Sequence, residues 1–170
     1  PWVTVQSTWP AAGQPYSWTV PNAPTGTARI RVRDLSGAPA DSSGLFSIIV
    51  PQLAGLPDTL DVGMVESNST GSRVLRLDNA GTAPLSISNI TSDNVFFRVS
   101  RSGLVIAVAD TDTVTVYFEP ALVGVETATL SIVSDDPASP GSLIVTGEGT
   151  AVVGVPEGAQ MAVLVELERE

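Results

Sequence analysis

The sequence has no cysteine, no histidine and no lysine, and all eight of its basic residues are arginine. Without cysteine, the chain has no disulfide framework and no thiol chemistry. Without histidine, neither a Ser-His-Asp triad nor a Cys-His pair can form within the chain, and the commonest metal ligand is missing. Aromatic residues make up only 5% of the sequence, so we expect an aliphatic and β-branched core. Paired carboxylates are the main catalytic arrangement that these absences leave open.

Positive charge and long apolar runs are also scarce. The net charge is −10 and the sequence pI is about 4.2. Because phosphate groups require a basic surface, this balance predicts no nucleic-acid partner and disfavours anionic membranes. No run of 18 apolar residues occurs, so the sequence predicts no membrane insertion. With 43% hydrophobic and 15% charged residues, the chain has enough apolar material for a folded core.

Alternation of apolar and polar residues runs through most of the sequence, and helical periodicity is nearly absent. This period of two is typical of half-buried strands. Strands are predicted at Tyr16–Val20, Arg29–Arg33, Phe46–Val50, Val74–Leu77, Leu85–Ser88, Thr113–Phe118 and Ala128–Ile132. Between them lie turn-forming segments rich in Gly, Pro, Asn, Asp and Ser. The pattern predicts an all-β fold of tandem antiparallel β-sandwiches.

Four parts of the chain are distinguished by composition. Residues 1–52 supply only about four strands, which is few for an independent core. Residues 53–57 are a predicted linker, and residues 58–150 suit a sandwich of seven or eight strands. Residues 151–170 contain an alternating segment with no evident sheet to join. Since the chain opens at Pro1 without a signal peptide, we expect it to be a mature or excised part of a longer protein.

Several ordered motifs within residues 58–150 resemble the bacterial choice-of-anchor D modules of the ASH/HYDIN group of immunoglobulin-like domains. They are Leu-x-x-Gly at 60–63, Asn-x-Gly-x-x-Pro-Leu at 79–85, Val-x-Phe-x-Pro at 116–120, Ser-Asp-Asp-Pro at 134–137 and Gly-x-Gly at 147–149. One departure is Asp110-Thr111-Asp112, where such modules usually have a turn with Pro-Gly. Residues 1–52 are similar to the trailing part of another secreted immunoglobulin-like module.

The resemblance implies spacing, adhesion, assembly or docking, and it transfers no catalytic residue. We therefore expect a non-catalytic structural or interaction module of a secreted or cell-surface multidomain protein, for example in an extracellular filament or appendage. Its expected partners are proteins or further copies of itself, bound through strand edges and termini. The alternative is a carbohydrate-binding accessory module of a secreted hydrolase, because Trp2, Trp9 and Trp18 all lie near the start of the chain.

Carboxylates are the only candidate metal ligands. Two acidic pairs could hold calcium, which prefers oxygen ligands: Asp110 with Asp112, and Asp135 with Asp136. Neither pair has the spacing of an EF-hand loop, and aspartate before proline is also typical of a plain turn. The sequence therefore favours turns and predicts no required cofactor.

Two segments are candidate partner-binding surfaces. Arg29, Arg31 and Arg33 share one face of a predicted strand and could bind an acidic partner or an anionic glycan, unless they are simply solvated. In the C-terminal segment the alternating apolar residues are Met161, Val163, Val165 and Leu167.

Overall fold

Period-two alternation produces a structure made of strands. The computed structural model describes Trp2, Thr4 and residues 17–33 and 40–151, and these residues contain strands and no helix. The first four strands are β1 (Thr25–Ala28), β2 (Arg31–Arg33), β3 (Ala40–Ser42) and β4 (Phe46–Ile48). β1 pairs with β4, and β2 pairs with β3, as two separate two-stranded antiparallel sheets. The predicted all-β class is confirmed.

Two larger sheets form the rest of the described chain. The strands of the four-stranded sheet, in spatial order, are β5 (Leu53–Ala54), β7 (Gly71–Asn79), β11 (Thr111–Phe118) and β9 (Phe97–Val99). Those of the five-stranded sheet are β10 (Leu104–Ile106), β8 (Leu85–Ser92), β12 (Gly124–Ser134), β13 (Gly141–Thr150) and β6 (Thr59–Glu66). Eight of these nine strands lie within residues 58–150, in agreement with the seven or eight predicted there, and β5 lies upstream of that range.

The core lies between these two sheets. The residues predicted to face inward are buried in β7, β8, β11 and β12: Leu75, Leu77, Leu85, Ile87, Val114, Val116, Phe118, Ala128, Leu130 and Ile132. They were predicted from alternation, since every second residue of a strand points to the same face. The rings of Phe97 and Phe118 stack with their centroids 4.6 Å apart.

β6 is the one parallel strand of its sheet, and a bulge changes its register against β13. Gly63, with φ of 90°, lies at the bulge and donates its N–H to Asp61 Oδ1 at 2.9 Å. After the bulge Met64 faces solvent and Val65 returns to the core. The glycine of the Leu-x-x-Gly motif thus keeps Leu60 and Val65 on the same side of the sheet.

Two predictions for residues 1–50 are wrong. Residues 17–20 are not in a strand, and Val20 is exposed. Ile30 and Val32, predicted to be buried, are 45% and 70% exposed. Among the described residues, no second layer covers the β2–β3 sheet, so the apolar face of β2 faces solvent as its polar face does.

The predicted linker at residues 53–57 is instead part of the sandwich. Its first two residues form β5, in which Leu53 pairs with Asn79 and Ala54 with Asp78 of β7. The sandwich therefore begins upstream of the predicted boundary at Asp58.

Candidate interaction surfaces

The Ser-Asp-Asp-Pro turn between β12 and β13 uses its two carboxylates to bind backbone amides. Asp135 Oδ1 accepts the N–H of Ser86 in β8 at 2.8 Å. Asp136 Oδ2 accepts the N–H of Leu53 in β5 at 2.6 Å, and its Oδ1 accepts that of Ala138 at 2.7 Å. Because β8 and β5 belong to different sheets, the turn connects the two layers of the sandwich at this end.

The second acidic pair, Asp110 and Asp112, is also engaged with the protein. Asp110 Oδ1 accepts the N–H of Thr111 at 2.8 Å, and Asp112 Oδ1 accepts that of Thr113 at 2.7 Å. Asp112 also forms an ion pair with Arg101. The described part of the chain contains no group of three or more acidic side chains arranged to hold a metal ion. A calcium ion at either predicted pair would compete with these backbone donors.

The predicted arginine face is exposed. Arg29, Arg31 and Arg33 all lie at the surface, and no carboxylate within residues 17–33 and 40–151 forms an ion pair with them. The Arg31 guanidinium lies over the ring of Trp2, 4.3 Å from its centroid. Stacking of this kind leaves the in-plane N–H groups of the guanidinium able to bind an anion.

The other predicted partner-binding residues are Met161, Val163, Val165 and Leu167. They lie outside the described residues, as does Trp9. Trp18 is half-buried and Trp2 is exposed. The structure thus brings together Trp2 and Arg31, which the sequence treated as separate candidates.

The most extensive polar site, around Asn79, was not singled out as a site from the sequence. The side chain of Asn79 is 2% exposed. Its Nδ2 donates to the carbonyl oxygens of Ala83, Ile106 and Ala107 at 2.8 to 3.1 Å. Its Oδ1 accepts the N–H of Gly81 at 3.0 Å and, more weakly, that of Gln52 at 3.4 Å. The signal available in the sequence was the Asn-x-Gly-x-x-Pro-Leu motif, in which this asparagine stands first.

The same turn holds the segment that joins the first part of the chain to the sandwich. We call residues 50–53 the connector and residues 79–83 the socket. Val50 N–H donates to Thr82 Oγ1 at 3.0 Å, and Thr82 N–H donates to the Val50 carbonyl at 2.8 Å. Ala80 N–H donates to the Gln52 carbonyl at 2.9 Å. A Cβ on Gly81 would lie 2.4 Å from the Val50 oxygen, so only glycine allows this close approach.

Three ion pairs lie on the exposed face of the four-stranded sheet. They are Arg76 with Asp78, Arg98 with Glu119, and Arg101 with Asp112. Arg98 also lies over the ring of Tyr117, 4.3 Å from its centroid. The hydrogen bond from Arg98, followed by that from Thr70, lowers the pKa of Glu119. The pKa of Asp78 is lowered mainly by its hydrogen bond from Thr111, and that of Asp112 mainly by the N–H of Thr113.

These lowered pKa values predict a modest loss of stability in acid. The stabilisation that each of these ionised carboxylates gives the folded state is complete above its unfolded-state pKa. It is lost as the pH falls through the lower folded-state pKa. Because the groups are exposed, salt screens the effect. Urea unfolding between about pH 5 and about pH 3 should show a smaller loss for Glu119→Gln than for the unmodified chain. Glu66→Gln, at an exposed position of β6, is the control, and an equal change in both variants would contradict the prediction.

Two facing sheets with a first strand divided between them define an immunoglobulin-like β-sandwich. The family described as HYDIN/CFA65/VesB-like, Ig-like domain matches residues 51–148, more than half of the chain. The chain belongs to this family of immunoglobulin-like domains. The match confirms the resemblance found in the sequence, and it starts before the predicted boundary at Asp58, as β5 does.

One solved structure supports the same fold, and two others are similar at lower scores. The chain is similar to the ASH/PapD-like domain 7 of human CEP192, with a TM-score of 0.51 and 13% identity, over 60% of this chain and 86% of that one. A protein of unknown function from Porphyromonas gingivalis W83 is similar over 77% of this chain and 70% of that one, with a TM-score of 0.49 and 19% identity. The VesB protease of Vibrio cholerae is similar over 58% of this chain and 31% of its own, with a TM-score of 0.46 and 10% identity. No curated protein gives a significant match.

No helix in the described ranges is long and apolar enough to cross a membrane.

Proposed function

We propose that the chain is a non-catalytic structural and interaction module of a secreted or cell-surface multidomain protein, and that it fixes the spacing and orientation of its neighbours. The observation that carries the proposal is the hydrogen bonding of the connector. A freely jointed linker would leave its backbone groups to water, whereas the connector exchanges hydrogen bonds with the socket and with Asp136. A module held in this way transmits orientation as well as distance.

The sheet edges are the places where such a module would bind partners. β6 is an edge strand of eight residues, and its outer edge pairs with no other described strand. Met64, on its solvent face, is 76% exposed, and Val125 is exposed in the same row of the sheet, two strands away. Open edges with apolar neighbours favour strand addition and assembly. An extracellular filament or appendage is the setting that we propose for this assembly.

Hydrogen–deuterium exchange of the connector amides tests the spacing function. In the unmodified chain, the amides of Val50 and Leu53 should be protected because they donate to Thr82 and Asp136. Gly81→Ala should increase their exchange by at least about tenfold, since its Cβ displaces the connector, while protection of β12 is retained.

The control is Gly44→Ala, because a Cβ at Gly44 meets no atom within 4 Å. Thr82→Val is a milder second variant. It removes the hydrogen bond from the Val50 N–H to Thr82 Oγ1 and preserves the volume of the side chain. Rapid exchange of the connector amides in the unmodified chain would show a flexible joint and contradict the spacing function.

The second candidate function is glycan binding in a secreted hydrolase. The observation that favours it is Trp2, which is 52% exposed and stacks on Arg31, so an aromatic surface and a cation lie together. A glycan array probed with the unmodified chain and with Trp2→Ala separates the two functions. Binding that depends on Trp2 would favour the accessory module.

A further inference from the structure

The two faces of β2 differ in chemistry, and the side chains of both are exposed within the part of the chain that the structure describes. Arg31 and Arg33 occupy one face and Val32 the other, and Arg29 and Ile30 continue the alternation upstream. Ile30 is held in register with β3, because its N–H donates to Ser43 Oγ at 2.9 Å and its carbonyl accepts the Ser43 N–H at 2.8 Å. An extended segment with three arginines on one side and two exposed apolar residues on the other is therefore present at the surface.

β2 has only one neighbouring strand among the described residues. It pairs with β3, and no strand of the described ranges pairs with the backbone groups of its other edge. A two-stranded sheet is marginally stable alone, and a third strand would satisfy that edge. The edge, the arginine face and the apolar face together specify the chemistry of a suitable strand, which must be acidic on one side and apolar on the other.

The C-terminal segment of the same sequence has this pattern. Its odd-numbered apolar residues are Met161, Val163, Val165 and Leu167, and its even-numbered acidic residues are Glu166, Glu168 and Glu170. Consecutive glutamates in an extended strand would be spaced about 6.6 Å apart, as the arginines along β2 would be. Residues 152–170 carry four glutamates and one arginine, whereas residues 1–50 carry three arginines and only two acidic residues.

The chain enters and leaves the sandwich at opposite ends. The connector enters beside Gly141, the first residue of β13, where a Cβ would contact the Leu53 and Leu56 side chains. The chain leaves β13 at Thr150, whose carbonyl accepts the N–H and the hydroxyl of Ser67 at the far end. The ten residues of β13 separate these ends by about 30 Å. Attachment points at opposite ends favour contact between successive copies, head to tail.

We infer that residues 161–170 of one copy bind along the free edge of β2 in a second copy. Glu166, Glu168 and Glu170 face the three arginines, and the apolar residues of the added strand extend the side that carries Ile30 and Val32. The added strand converts the β2–β3 pair into a three-stranded sheet. We call the β2 edge the head and residues 161–170 the tail. Because the contact is heterologous, the assembly keeps one unbound head and one unbound tail at its two ends, and it grows as an open chain. This inference rests on the proposed assembly function and names its partner as a second copy.

Sedimentation velocity over a wide range of protein concentration tests the inference on the full chain. The unmodified protein should form species larger than its 17.6 kDa monomer as the concentration rises, and added salt should dissociate them. The variants Arg29→Glu/Arg31→Glu/Arg33→Glu and Glu166→Arg/Glu168→Arg/Glu170→Arg should each weaken association by at least about tenfold. An equimolar mixture of the two variants should associate again, because each altered tail then meets a head of opposite charge.

The matched control reverses an exposed charge elsewhere, with Arg73→Glu in β7, and association should persist in this variant. The tail variant keeps the test valid if the arginine variant is poorly folded. A protein that stays monomeric at every concentration overturns the inference. This is the result expected if the tail binds β2 within its own copy. Equal association of both triple variants and the unmodified chain also overturns it. Slow hydrogen–deuterium exchange of the connector amides would in that case still support the spacing function.

Discussion

Asn79→Ala is expected to destabilise the sandwich by about 3–5 kcal/mol, a large part of the free energy of unfolding of a domain of this size. The substitution removes a side chain that donates to three carbonyl groups and accepts from two N–H groups. Alanine replaces none of these bonds, and the carbonyl groups of Ala83 and Ile106, which lose their donor, belong to buried residues. Urea unfolding followed by circular dichroism measures the loss, and the melting temperature should fall by more than about 10 °C.

Asn89→Ala is the matched control, since Asn89 is an exposed asparagine in β8. Its effect should stay within about 0.5 kcal/mol. Asn79→Asp tests the direction of the hydrogen bonds. At neutral pH it places a negative oxygen where Nδ2 meets three carbonyl oxygens, and it should be at least as harmful as alanine. Since a protonated carboxyl can donate one hydrogen bond, the deficit of Asn79→Asp relative to the unmodified chain should shrink in acid. A loss below about 1 kcal/mol for Asn79→Ala would contradict this account of the socket.

Asn79 contacts both the turns of the sandwich and the connector. It joins the β7–β8 turn to the β10–β11 turn through Ile106 and Ala107, and to the connector through Gln52. We therefore expect the stability of the sandwich and the position of the connector to depend on this one side chain. We expect the motif Asn-x-Gly-x-x-Pro-Leu to serve in this chain as a joint: asparagine organises the turn, and Gly81 lets the connector approach.

The strands of the sandwich were predictable from the sequence because apolar and polar residues alternate along them. Leu75 and Leu77 alternate with polar residues, and both are buried. Ile30 and Val32 alternate in the same way, yet both are exposed, because alternation identifies a strand and not the layer that covers it. Whether a strand residue is buried depends on a neighbouring sheet, and local sequence does not encode that sheet.

The site was less predictable than the fold because its contacts are long-range. Asp136 was identified as a turn residue, and its Asx-type bond to Ala138 agrees with that. Its second bond, to Leu53, joins residues 83 positions apart, and no local pattern indicates it. The departure at Asp110-Thr111-Asp112 has a visible result as well. Ala109, just before it, adopts a φ of 57°, a left-handed conformation that glycine would adopt with less strain.

Gly147→Val is the second substitution with a large expected effect, about 3 kcal/mol or more of destabilisation. Gly147 lies in β13 with its Cα against the ring of Phe118, and a Cβ would lie 2.6 Å from Cδ1 and 2.7 Å from Cε1. Phe118 cannot move away, because it is fully buried and stacks on Phe97. The strand and the ring must therefore separate, which weakens pairing along β13. Thermal unfolding followed by circular dichroism measures the loss.

Gly26→Val in β1 is the control, because a Cβ there meets nothing within 4 Å, and it should leave the melting temperature nearly unchanged. A double-mutant cycle identifies the ring as the cause. Phe118→Leu removes volume at the contact, so Gly147→Ala should cost at least about 1 kcal/mol less in the Phe118→Leu background than in the unmodified chain. Equal costs in both backgrounds would show that Gly147 is required for its backbone alone. If the coupling is observed, the first glycine of the closing Gly-x-Gly motif is explained by the aromatic ring of the Val-x-Phe-x-Pro motif, and the two motifs form one packing unit across the sandwich.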